Sequence, residues 1–185
     1  MTALDGTSLR GTVLPRAAAA LLAGALAIAV NTALLAAADA IPLVTARGGL
    51  LKLLTIAFRG SLARLGAGAF WLQSGLPAPG GTTFQLGFHI VAGLAMALLY
   101  GLVLEAWLTG PPWRKGLVYA AAAWLANAFI VLPLLRDGVA GSKSISLPGM
   151  AYFAAAHTVV FLGLAVLFAR FLPVFAHQLA LTRDQ

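Results

Sequence analysis

The side chains able to do chemistry in this chain are few, and each stands inside or beside a long apolar run. They are Asn31, His89, Glu105, Asn127 and His157, with Asp39, Tyr100, Tyr119 and Tyr152 as further polar groups. Two imidazoles on different helices can supply both axial ligands of a b-type haem. They can equally bind a transition metal with Asp39 as an oxygen ligand, or hydrogen-bond a quinone carbonyl. His89, His157, Asn31 and Asn127 are therefore a candidate cofactor-binding or polar site, with haem b the candidate cofactor and the identity of any metal open. The same four residues would serve as interhelical hydrogen bonds, worth about 0.6 kcal/mol on average in one well-studied bundle. Glu105 reads as an interfacial carboxylate within reach of Arg114 or Lys115, or as one end of an ion relay running through Tyr100 and Tyr119 toward the His pair.

The elements that must position these groups are helices of a membrane protein. The chain is 61% hydrophobic and 9% charged, with a mean hydropathy of +0.95. An ordinary soluble domain is about 45–50% apolar and about 25% charged. That composition excludes a soluble enzyme, a disordered tail and a nucleic-acid module. Twelve Lys and Arg against five Asp and Glu give a net charge of +7, but the basic residues stand singly between apolar blocks. That pattern suits lipid headgroups rather than a nucleic-acid stripe. The chain has no cysteine, so disulfides, thiolate metal sites and Cys nucleophiles are excluded.

Four runs reach the roughly 20 residues needed to span a bilayer: 17–41, 85–108, 115–135 and 148–171. Pro15 precedes the first and Pro42 follows it; Gly110-Pro111-Pro112 ends the second; Ser146 is placed to cap the fourth, and Pro173 lies beyond its end. Ala38-Asp39-Ala40 looks like a signal-peptide cleavage site, but the uncharged run before it is longer than a signal h-region of about 7–15 residues, so a retained helix is expected. The stretch 47–72 places Leu50, Leu54, Phe58 and Leu65 near one helical face and Lys52 and Arg59 on another. It predicts an amphipathic helix lying in the interface. The expected fold is thus an all-α integral membrane protein, a single domain over 1–185, built as a four-helix bundle with one interfacial helix.

With that topology, Asn31, Asn127 and His157 each lie about 12–15 Å inside one end of the bundle, with His89 about 6–10 Å in. Gly93, Ala97 and Gly101 recur every four residues in the second span, a ridge that admits another helix closely. Six basic residues fall at one end (Arg10, Arg16, Arg114, Lys115, Arg170, Arg183) and six at the other (Arg47, Lys52, Arg59, Arg64, Arg136, Lys143), so charge does not set orientation. No HExxH, GxSxG or P-loop is present.

The pattern His89-x3-Gly93-x6-Tyr100 in the second span, with His157 in the fourth, resembles small uncharacterised four-helix inner-membrane proteins of bacteria. The resemblance implies the four-span fold and a bacterial inner (cytoplasmic) membrane, and no mechanism. Three functions are open on these residues. The first is a non-enzymatic accessory or scaffold subunit that meets a membrane-protein partner, or a second copy, through the Gly93-Ala97-Gly101 ridge. The second is a haem-, metal- or quinone-binding redox module on His89 and His157. The third is a small transporter or channel using Glu105.

Overall fold

The structure, a computed structural model, describes residues 6–41, 43–45, 49–57, 64, 66–75, 77 and 81–181. Among the described residues the protein is all-helical, 85% helix, with no strand. Among the described residues six longer helices follow one another: α1 Gly6–Ala40, α2 Gly49–Ala57, α3 Ala67–Gln73, α4 Thr82–Trp107, α5 Pro112–Leu134 and α6 Leu147–Leu181, with one short 3₁₀ turn at Val139–Gly141. Four of them, α1, α4, α5 and α6, are long and apolar enough to cross a membrane.

The helix boundaries follow local chemistry. Leu108 turns extended (φ −80°, ψ 133°) and Gly110 takes φ 101°, a conformation only glycine adopts without strain. Pro112 then opens α5, where its missing N–H costs nothing. Ser146 caps α6 as the sequence suggests, its Oγ accepting from the Gly149 N–H at 3.3 Å. Two ends differ from expectation. Pro15 lies inside α1, which begins at Gly6, and α6 continues through Pro173 to Leu181. A proline removes one i→i−4 bond and introduces a ring clash, which long helices absorb as a local bend.

The expected single amphipathic helix over 47–72 is interrupted, with α2 and α3 described on either side of the break. Gly66, at φ 76°, breaks the helical path immediately before α3; residues 46–48, 58–63 and 65, with Arg59 and Phe58 among them, lie outside the described residues, as does Pro42. The inward face of α2 is also rotated by one residue, with Leu51 buried and Leu50 exposed. Lys52 is exposed, as the pattern requires.

The described residues group into two compact units. Unit 1 comprises Met1–Leu34, Ala92–Ala121 and Ala156–Gln185; unit 2 comprises Leu35–Val91 and Ala122–Ala155. Unit 1 is built on small-residue contacts. On α1, Ala19, Ala20 and Ala23 are 0% exposed, while Leu21, Leu22, Leu26 and Val30 are 41–45% exposed. The facing ridge of α4 fits this surface: a Cβ on Gly24 would meet the Ala97 methyl at 2.5 Å, one on Gly93 would meet Ile28 at 2.6 Å, and one on Gly101 would meet Ala20 at 2.6 Å. Gly116 of α5 lies against the backbone of Phe161 and Leu162 on α6, where an added Cβ would come within 2.8 Å of main-chain atoms.

Unit 2 is built differently. Leu132 and Phe153 form its buried cluster, with Trp124 and Ile145 packed on it. Trp71 of α3 meets Phe84 edge-on at 5.4 Å, and Phe84 stacks on Phe88 at 6.4 Å. The connection between α5 and α6 is held by its own backbone bonds, Lys143 N–H to Asp137 O at 3.0 Å and Ile145 N–H to Gly141 O at 2.8 Å among them. It carries Arg136 at φ 64° and Ala140 at φ 52°, both left-handed without being glycine.

Candidate functional site

A turn of π-helix in α4 makes the principal site of unit 1. Over Tyr100–Leu104 the backbone widens, so the Glu105 N–H bonds to Tyr100 O instead of to Gly101 O. The Gly101 carbonyl, deprived of its usual donor, accepts from Arg16 Nε at 2.8 Å. Such single π-turns are frequent at functional sites. The same arginine reaches Glu105, Nη2 to Oε2 at 2.7 Å, and Lys115 holds the other carboxylate oxygen, Nζ to Oε1 at 2.6 Å. Lys115 Nζ also donates to the Glu105 backbone carbonyl at 2.9 Å. Three helices, α1, α4 and α5, are thereby tied at one carboxylate. The three side chains are only 15–24% exposed, a setting in which charge-assisted bonds are stronger than in open water.

An aromatic column continues from this cluster. The Arg16 guanidinium lies 5.6 Å from the Phe168 ring centroid, a cation–π distance. Phe168 meets Tyr100 edge-on at 5.6 Å, Tyr100 stacks on Tyr119 at 5.8 Å, and Tyr119 packs against Phe161 at 4.5 Å. His157 stands at the far end, 6.2 Å from Phe161. The Tyr119 hydroxyl donates to Met96 O at 3.1 Å. The residues expected to relay an ion between Glu105 and the histidines thus meet through ring faces and edges, and the Tyr119 hydroxyl bonds the backbone of α4.

The structure distributes the expected site residues over both units. Asn31 and His157 belong to unit 1, His89 and Asn127 to unit 2. Both histidines are half-buried and both have interaction partners. The Asn31 Oδ1 is buried with no hydrogen-bond partner among the described residues. Asn127 opens a second π-helical turn, Asn127–Val131, in which the Leu132 N–H bonds to the Asn127 carbonyl. Its side chain lines a cavity of about 10 Å³ with Trp124, Ala128, Leu132 and Phe153, room for about one water. A larger cavity of about 80 Å³ lies between Thr45, Gly49, Lys52, Asp137 and Ser144. Among the described residues, no three His, Asp or Glu side chains gather into a set able to hold a metal.

Arg16 is the site residue that sequence reading misses. With Pro15 taken as the helix start, Arg16 reads as a flank, whereas α1 begins at Gly6 and carries Arg16 well inside the helix. Lys115 as a partner of Glu105 was legible from the short α4–α5 link; neither π-turn leaves any signal in residue type.

Comparison with known proteins yields no match: no family model, no curated protein and no solved structure is similar to the chain. What the fold defines is a class, an all-helical protein with four helices long and apolar enough to cross a membrane.

Proposed function

We propose that this is an integral membrane protein of a bacterial inner membrane, acting as a non-enzymatic accessory or scaffold subunit. The observation that carries the membrane reading is the inverted sorting over residues 19–26 of α1, where Ala19, Ala20 and Ala23 are fully buried while Leu21, Leu22 and Leu26 face outward. In water the large aliphatic side chains would go inside, since burial stabilises them by about 1.5–3 kcal/mol each. In lipid, hydrocarbon surrounds them anyway, and close helix packing selects small residues for the interior. Arg16, Glu105 and Lys115 suit the same setting: both cations are held by the one carboxylate, and all three lie near the ends of the apolar spans Val13–Ala40, Thr82–Trp107 and Pro112–Leu134.

The scaffold reading rests on what this interior does with its chemistry. Glu105 has both carboxylate oxygens engaged by cations, and the tyrosines serve packing. The Gly93-Ala97-Gly101 ridge is occupied by α1 of the same chain, so a partner helix meets the protein through its outward apolar faces. Gly93→Leu or Gly101→Leu therefore disrupts unit 1 itself rather than an external interface.

Native mass spectrometry of the protein extracted in mild detergent tests this reading. A stoichiometric protein partner or a second copy is expected, with no absorbing cofactor. A monomer with a Soret band lost in His89→Ala and His157→Ala would replace the scaffold reading by a haem protein.

A further inference from the structure

The ionic cluster of unit 1 carries one charge too many to be self-sufficient. Glu105 supplies a single negative charge against Arg16 and Lys115. Glu105 and the Gly101 carbonyl each use one of the five N–H groups of Arg16, and Glu105 uses two of the three of Lys115. Arg114, next to Lys115 in the chain, is exposed, and its side chain lies along Gly110 of the α4–α5 link. Glu105 lies in the last turn of α4 and Lys115 in the first turn of α5, so this surplus of positive charge stands at the ends of two spanning helices. Trp107 and Trp113, 79% and 55% exposed, flank it, and tryptophan favours the boundary between headgroup and hydrocarbon. Leu99, Leu102 and Val103 extend outward along α4 from the same level.

We propose that this end of unit 1 is a binding site for an anionic phospholipid. Its phosphate is held by Arg114 together with the N–H groups of Arg16 and Lys115 that Glu105 leaves over, and its acyl chains lie along the exposed face of α4. Arginine is suited to the phosphate because its planar fork donates two parallel bonds. The Glu105 carboxylate fixes the two inner cations and lowers the local charge enough for them to stay close. The site rests on the membrane reading above and adds to it a preferred headgroup.

The test reconstitutes the full chain into vesicles of phosphatidylcholine alone or with phosphatidylglycerol, then counts lipids retained after detergent extraction by native mass spectrometry. Phosphatidylglycerol is expected to be retained in preference to phosphatidylcholine. Arg114→Gln, which leaves the Glu105 cluster intact, should weaken that retention about fivefold, the value of one interfacial cation. Lys143→Gln removes an equal charge from an exposed position in unit 2 and should leave it unchanged. Equal retention of both lipids, or equal losses in the two variants, overturns the site while leaving membrane insertion standing. Failure to insert into either vesicle overturns both. Release of the bound lipid by millimolar inorganic phosphate would assign the site to a free anion and contradict the lipid.

Discussion

In unit 1 the buried face of α1 is mostly alanine and glycine, with Ile28 its one large aliphatic among the described residues, and rings from α4, α5 and α6 fill the space; in unit 2 Leu132, Phe153, Trp124 and Ile145 make a core of large side chains. The first arrangement brings backbones close together, as at Gly116 against Phe161 and Leu162, and leaves no slack. The second leaves cavities of about 10 and 80 Å³ and places two non-glycine residues in left-handed backbone. Close helix contact needs small residues at every crossing, whereas a loop-rich region fills its gaps with large side chains that tolerate exchange. The two units should therefore answer substitution with different magnitudes, and in one case with opposite sign.

The largest effect is expected at Gly116. A valine there meets main-chain atoms that cannot swing aside, and we expect a loss of about 3 kcal/mol or more, read as a fall in the thermal midpoint in detergent. Gly163, on α6 of the same unit, has nothing within 4 Å of an added Cβ. Gly163→Ala should be neutral or stabilising by up to about 1 kcal/mol through helix propensity. Similar losses at both positions would mean that glycine is needed for flexibility rather than for close approach.

Glu105→Gln comes next. It leaves Arg16 and Lys115 facing each other without a carboxylate, and we expect a loss of about 1–3 kcal/mol, less than for a fully buried pair because the cluster is partly exposed. Arg16→Gln should cost a comparable amount. An unchanged midpoint in both would show that the cluster does not hold α1 to α4. Tyr119→Phe keeps the ring contacts and deletes one hydrogen bond to Met96, a change of about 0.6 kcal/mol in the same assay.

The smallest effect lies in unit 2 and has the opposite sign. Ala140→Gly relieves a left-handed alanine, and the gain over the added chain entropy is about 0.5 kcal/mol. A loss instead of a gain would mean that the alanine methyl packs productively in the turn.

How much of this could be read in advance depended on the residue. The four apolar runs were visible because length and hydropathy act locally, and the Ser146 cap and the Gly110-Pro111-Pro112 break were visible for the same reason. The partnership of Glu105 with Lys115 followed from a link too short to separate them. The contact of Arg16 with Glu105 did not, because it joins positions 89 residues apart and because Pro15 suggested a boundary where the helix continues. The Gly93-Ala97-Gly101 ridge announced a helix crossing, but a ridge does not name its partner; Ala20, Gly24 and Ile28 of α1 took the place foreseen for another protein. The single amphipathic helix over 47–72 failed at Gly66, whose left-handed φ no periodicity reveals.

On α1, Leu21, Leu22, Leu26 and Val30 face out while Ala19, Ala20 and Ala23 face in. The chain lacks cysteine, so single spin labels at Leu22→Cys, Leu26→Cys and Val30→Cys can be read without background in reconstituted vesicles. The account predicts labels that relax with dissolved oxygen and are shielded from a water-soluble nickel chelate, while Lys143→Cys, in the polar α5–α6 connection, responds to the chelate. Strong nickel relaxation at all three α1 positions would contradict it, placing the outward leucines in water.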